Sequence, residues 1–287
     1  MQLLALLLLP YTRWVLSAAL RSQHGLAALK DPDSGSIQDD SHDLLWPPIW
    51  EPEGLTYNHL PKAGGTAVRQ LIWAATSNDY RLEVEDQAID SNDTQRFLIG
   101  SVRNPCDYYV SLYSYGAMGL GPFREHVPKE LYKTNSAEHF RRWLRFTLEI
   151  LGKPSPVGLM TARVLQSYTL QKKPLDYVFK PMQFISAEDM AEYSATLPKF
   201  NRSVVDCWVM TEDLVADTKR CLQRYEYVAQ DKLDWNHFNE LVRTSGRINP
   251  SKHDACSTFF DEGSERLVRQ TDSLIFSAFG YSSCCEN

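Results

Sequence analysis

Leu55-Thr56-Tyr57-Asn58-His59-Leu60-Pro61-Lys62-Ala63-Gly64-Gly65-Thr66 is the stretch that sets the fold. Leu55 to Leu60 is a short strand candidate ending in Pro61. Thr66 to Ala75 has the composition of a helix. The glycines between them let the backbone turn its N–H groups toward an anion. The helix adds its first N–H groups and the positive end of its dipole. Lys62 brings a point charge and Thr66 a hydroxyl, so strand, loop and helix together have the make-up of a phosphate or sulfate cradle.

Residue order in that loop matters. A Walker A loop carries its lysine after the second glycine, directly before Ser or Thr. Here Lys62 precedes both glycines, which disfavours a nucleotide hydrolase or a kinase-like enzyme. Gly64-Gly65 taken alone is also what an ordinary tight turn needs.

A second motif lies downstream. Arg96 to Val102 is another buried-type strand, and Asn104-Pro105 starts a helix that continues through Tyr108 to Tyr115. Arg103 ends the strand and Ser111 lies two turns into the helix. Guanidinium fork and hydroxyl can hold one phosphate together. Ser136 to Leu151 reads as a helix with Ser136 as N-cap, and Asp206 to Met210 as a strand. That strand feeds Thr211-Glu212-Asp213-Leu214 and a helix to about Tyr227; Trp235 to Val242 and Glu265 to Phe276 are also helical in pattern. Strands alternating with helices argue an α/β fold around a mainly parallel sheet.

At these residues the sequence resembles the PAPS-dependent sulfotransferase superfamily, PAPS being 3′-phosphoadenosine 5′-phosphosulfate. Lys62-Ala63-Gly64-Gly65-Thr66 is similar to its 5′-phosphosulfate loop, and Arg103 to Ser111 to its 3′-phosphate motif. Asp213-Leu214 and the run Asn249-Pro250-Ser251-Lys252-His253, Phe260-Asp261, Asp272 and Phe279-Gly280-Tyr281 resemble further landmarks, so the likeness covers about residues 55 to 283. The form Leu-Pro-Lys-Ala-Gly-Gly-Thr is closer to the membrane-associated carbohydrate branch than to the cytosolic small-molecule branch. The resemblance implies a P-loop NTPase-like three-layer α/β/α sandwich, PAPS as co-substrate and no metal in the chemistry. Lys62 would act on the leaving oxygen, and Ala63, Gly64, Gly65 and Thr66 would cradle the 5′-phosphate. Arg103 and Ser111 would take the 3′-phosphate. Where the cytosolic branch stacks a tryptophan on adenine, this chain has Ala67 and Val68, so the contact must come from elsewhere. The loop from Arg247 through Ser251 to Lys252 is the candidate to close over the nucleotide.

The acceptor hydroxyl needs a general base. The family uses histidine or glutamate, and no histidine lies between Lys62 and Arg103. That leaves Glu83, then Glu85, with Asp86 beside them; His59, His126 and His253 are alternatives. Arg141 and Arg145 share a helical face on which an acidic glycan could lie with Trp143 on a sugar. The same pattern fits an amphipathic helix with Trp143 in the core. A hydroxyl or amine on a carbohydrate is the expected acceptor; a small hydroxylated metabolite, protein tyrosine and a catalytically inactive relative remain as alternatives.

A net charge of −6 over 287 residues argues against non-specific nucleic-acid binding, so an anionic ligand must meet local positive groups. Met1 to Leu20 reads as an apolar segment interrupted by Thr12 and Arg13, which gives residues 1–22 the character of a signal peptide or membrane anchor. Residues 23–53 are polar and turn-rich, a stem, and 54–287 form the catalytic domain. The six cysteines match no zinc spacing, and their even number allows disulfides. Two sequons, Asn92-Asp93-Thr94 and Asn201-Arg202-Ser203, lean with the N-terminus toward the secretory pathway and a Golgi location.

Overall fold

The computed structural model describes residues 52–76, 81–82, 88–90, 92–169, 180–245 and 253–285. The chain divides into one unit of Met1–Trp50 with Asn201–Val204 and another of Glu51–Phe200 with Val205–Asn287. In the first unit only Asn201–Val204 are described, with a single helical turn at Arg202–Val204. The elements below belong to the second unit, which is mixed α/β and mostly helical.

A small parallel sheet carries the site. It contains β1 (Leu55–Asn58), β2 (Arg81–Leu82) and β3 (Phe97–Val102), with β4 (Glu149–Ile150) and β5 (Lys153–Pro154) pairing apart and β6 (Cys207–Met210) completing it. The spatial order is β2-β1-β3-β6, all parallel. Leu55 stands opposite Phe97, and Ile99 opposite Cys207. Every residue of β1 and β3 is buried, as expected of parallel strands covered on both faces. The chain steps from β1 to β2 on one side and then to β3 on the other, so its winding reverses between β1 and β3. In open α/β sheets a ligand crevice forms outside the carboxyl ends of the strands at such a reversal.

Helices α1 (Gly65–Thr76) and α2 (Pro105–Ala117) leave from those carboxyl ends. Asn104 caps α2, its side chain accepting from the Cys106 N–H at 3.0 Å, and Pro105 fills the first position, which needs no donor. Helix α3 (Ala137–Leu148) begins as expected, with Ser136 accepting from the His139 N–H. It stops at Leu148 rather than Leu151, because β4 folds back on β5 through Leu151 and Gly152, both at positive φ. Its buried residues Phe140, Trp143, Leu144, Thr147 and Leu148 follow the spacing of one apolar face. Trp143 is fully buried among Tyr113, Phe140 and Phe123, so it is core and not a sugar platform. Arg141 is engaged by Asp261 at 3.2 Å.

Helices α4 (Leu159–Tyr168) and α5 (Ala187–Thr196) precede β6; α6 (Leu214–Ala229) and α7 (Trp235–Ser245) follow it. The chain ends with α8 (Cys256–Phe259), α9 (Glu262–Thr271) and α10 (Ser273–Phe279). The single helix expected over Glu265 to Phe276 is thus two. Asp261 opens α9 with a capping box, and Asp272 breaks the run by turning its carboxylate into the core. There it accepts from the Tyr109 hydroxyl at 2.6 Å and from the Thr161 N–H at 2.8 Å, in the first turn of α4. One carboxylate therefore ties together α2, α4 and the α9–α10 joint. Gly158 lets α4 come this close, since a Cβ there would strike that carboxylate.

Burial pushes the Asp272 carboxyl up from 3.8 to about 6, against hydrogen bonds from Tyr109 and Thr161 that favour its charged form. The folded chain therefore holds this proton more tightly than the unfolded chain. Its contribution is fully present below pH 3.8 and is lost as pH rises to about 6. At roughly 1.4 kcal/mol per pH unit the loss approaches about 3 kcal/mol. Denaturant titrations from pH 3.5 to 7 check this: the stability of Asp272→Asn relative to wild type should climb through that window. A constant difference would show that the carboxyl does not titrate there.

Candidate anion site at the strand ends

Gly64, Gly65 and Thr66 place three consecutive N–H groups at the start of α1. The first backbone bonds of that helix run from Ala67 and Val68 to the Gly64 carbonyl, at 2.9 and 3.1 Å. Among the described residues nothing accepts from the N–H groups of Gly64, Gly65 or Thr66. Uncommitted donors beside a helix N-terminus form an anion-binding concavity.

Two features require glycine here. Gly64 has φ +74, and a Cβ on it would lie 2.7 Å from a methyl of Leu214 and 3.3 Å from the Thr211 methyl. Gly65 carries the His59 imidazole on its Cα, and a Cβ would occupy the ring's space. Thr211 in turn donates to the Val102 carbonyl at 2.8 Å, which holds the 211–214 turn against the end of β3. The landmark Asp213-Leu214 is therefore represented at the loop by Leu214, while Asp213 is exposed.

Arg103 joins the loop from the neighbouring strand. Its guanidinium donates to the Lys62 carbonyl at 3.3 Å and faces Asp107 at 3.9 Å, too far for a close ion pair. Burial lowers its pKa, while Asp107 and Glu212 pull the other way. The guanidinium remains cationic with hydrogen-bonding capacity left for a ligand. Ser111 is buried on α2, and its hydroxyl has no hydrogen-bond partner among the described residues. Lys62 adopts φ 62, and its ammonium lies 3.9 Å from the centre of the Tyr115 ring, on the helix that carries Ser111. Lys62, Gly64, Gly65, Thr66 and Arg103 thus gather at one end of the β1–β3 pair, with Ser111 two turns further along α2. Ala63 is buried beneath the loop.

A second layer braces Arg103. The Asn104 N–H donates to Glu212 at 2.7 Å, the Tyr281 hydroxyl donates to the other Glu212 oxygen at 3.1 Å, and the Asn104 amide donates to the Ser283 carbonyl at 2.8 Å. Glu212 keeps a solvent-facing edge, yet both carboxylate oxygens point inward. Burial raises its pKa, opposed by those hydrogen bonds and by Arg103. Cys106–Cys284 fastens the chain end to the first turn of α2, and Cys256–Cys285 fastens it to α8.

The expected bases divide. Glu83 and Glu85, with Asp86, lie outside the described residues, as do Arg247, Ser251 and Lys252. His59 stands on the loop itself. His126 is exposed, and His253 sits 2.8 Å from the Asp254 carbonyl and edge-on to Phe259. Ala67 and Val68 are buried, so neither offers a platform for a base. Tyr115 and Glu212 were missed as site residues in the sequence. The four-residue step from Ser111 to Tyr115 was the available signal for the first. A cavity of about 420 Å³ opens at the far end of α1, lined by Ala75, Thr76, Asp231 and Asp234. It is a whole helix length from the glycine loop and shares none of its donors.

No family model, curated protein or solved structure matches this chain.

The His59–Gly65 contact gives a direct test of loop packing. Gly65→Ala should destabilise the chain by about 1–3 kcal/mol through overpacking, and His59→Ala in the same chain should recover most of it. Strict additivity in chemical denaturation would mean that the imidazole does not occupy that space.

Proposed function

We propose that this chain is a sulfotransferase that moves the sulfuryl group of 3′-phosphoadenosine 5′-phosphosulfate to an acceptor hydroxyl, on a carbohydrate. The observation that carries the reading is the meeting of two positive subsites at adjacent strand ends. The Gly64–Thr66 donors with Lys62 form one, and Arg103 with Ser111 the other. Two anion subsites at neighbouring strand ends suit a nucleotide with separate 5′ and 3′ phosphates better than a triphosphate on one loop. The small parallel sheet, with a helix leaving each of β1 and β3, supports the finer fold as well, a P-loop-type three-layer sandwich.

Sulfuryl transfer is an in-line displacement: the acceptor oxygen bonds to sulfur while the bridging phosphate oxygen leaves. The Gly64, Gly65 and Thr66 N–H groups hold the 5′-phosphate. Lys62 neutralises charge on the leaving oxygen. Arg103 and Ser111 fix the far end of the nucleotide, so the sulfur is presented in one orientation. The acceptor proton passes to Glu83 or Glu85, or to His59, whose imidazole lies on the loop. Arg247, Ser251 and Lys252 close over the nucleotide.

The cysteines and sequons support a compartment as well. All six cysteines are paired, as Cys106–Cys284, Cys207–Cys221 and Cys256–Cys285, which supports an oxidising lumen. Asn92 and Asn201 are exposed, as glycosylation requires. With residues 1–22 as signal or anchor, the Golgi is the proposed location.

Sulfur-labelled donor, offered with acidic and neutral glycans, a tyrosine peptide and a simple phenol, tests the activity. Label should pass to a glycan. Lys62→Ala should slow transfer about 10²–10³-fold, the usual cost of one preorganised donor, while Arg103→Ala should chiefly raise KM for the donor. Tight nucleotide binding without transfer to any acceptor would make the chain a non-catalytic relative. Phosphoryl transfer from ATP would refute the sulfuryl reading outright.

A further inference from the structure

Asp107, Ser111 and Tyr115 recur every four residues along α2 and form one slowly turning stripe, with Arg103 just ahead of the helix. Lys62 lies against this stripe at two points. Its carbonyl accepts from Arg103 at 3.3 Å, and its ammonium stands 3.9 Å from the centre of the Tyr115 ring. That is well inside the ~6 Å over which an aromatic face attracts an ammonium. The ring is itself confined: Gly121, at φ +79, closes on it so tightly that a Cβ would lie 2.7 Å from its Cε1.

We infer that Tyr115 is a positioning residue that holds the Lys62 ammonium over its ring at the edge of the glycine loop. The inference rests on the reading of that loop as an anion site. A lysine stem is flexible, and ordering it on ligand binding costs rotamer entropy. Holding it beforehand reduces that cost. The choice of an aromatic ring matters chemically. A carboxylate in that place would neutralise the lysine and repel an incoming phosphate. A neutral ring adds no negative charge of its own beside the loop. The left-handed backbone at Lys62 and the Arg103 bond fix the stem's origin, and Tyr115 fixes its end.

The test uses full-length protein, 3′-phosphoadenosine 5′-phosphate as titrant, and Tyr115→Phe, Tyr115→Leu and Lys62→Ala singly and combined. Tyr115→Leu should weaken binding about 2- to 30-fold, the range of one cation–π contact, while Tyr115→Phe keeps the ring and the affinity. In the Lys62→Ala background Tyr115→Leu should make no further difference. In nucleotide-free protein carrying ¹³C-lysine, the ring current should move the Lys62 ε-methylene upfield, a shift that Tyr115→Phe keeps and Tyr115→Leu abolishes. An undiminished Tyr115→Leu effect without Lys62, or an ordinary ε-methylene position in wild type, overturns the positioning role alone. An upfield ε-methylene in a wild type that binds no nucleotide overturns the anion-site reading, and the positioning role with it.

Discussion

An anion held at the edge of a sheet must be met by donors that the fold has not already used. In this chain that constraint is satisfied at the first turn of α1, where three successive N–H groups point away from the helix with no acceptor of their own among the described residues. Much else at the site serves to keep that turn open. Gly64 accepts a left-handed backbone so that the loop can bend under Leu214, and Gly65 makes room for the His59 ring. The strand order β2-β1-β3 then sets Arg103 beside the loop, because the carboxyl ends of adjacent parallel strands point to the same edge.

Positive charge in such a place is costly to bury and needs support from behind. Glu212 supplies it, lying near Arg103 while accepting from the Asn104 N–H and the Tyr281 hydroxyl. Tyr281, Ser283 and Cys284 bring the last residues of the described chain onto the start of α2. The two motifs are thus joined by contacts from β6, α6 and the chain end, far apart in sequence. Asp272 holds the same helix from its other side through Tyr109. A perturbation at the chain end therefore reaches Arg103 directly.

The sequence made the loop readable because its parts are local. A strand, two glycines, a lysine and a helix lie within a dozen residues, and strand β3 with its Asn-Pro helix start is equally compact. The bounds of α1 and α2 differ from expectation by only a few residues at either end. Features set by tertiary contact were not legible in this way. The end of α3 depends on a strand pair formed beyond it, and the break at Asp272 depends on Tyr109 and Thr161, more than a hundred residues away. Trp143 had two meanings in the sequence, and only its neighbours Tyr113, Phe140 and Phe123 decide between them. Tyr115 and Glu212 carry no motif of their own. Their roles come from what stands opposite: an ammonium for one, an uncapped N–H and a hydroxyl for the other.

The central claim is that the two strand-end motifs make one site for a nucleotide with phosphates at both ends of its ribose. Calorimetric titration of the whole protein with 3′-phosphoadenosine 5′-phosphate, beside adenosine 5′-monophosphate and ATP, measures this most directly. Micromolar binding of the bisphosphate, a marked loss without the 3′-phosphate, and disappearance of that difference in Arg103→Ala are the expected results. Equal affinity for the mono- and bisphosphate, or a preference for ATP by well-folded protein, would contradict it and return the glycine loop to a turn or a kinase-type site.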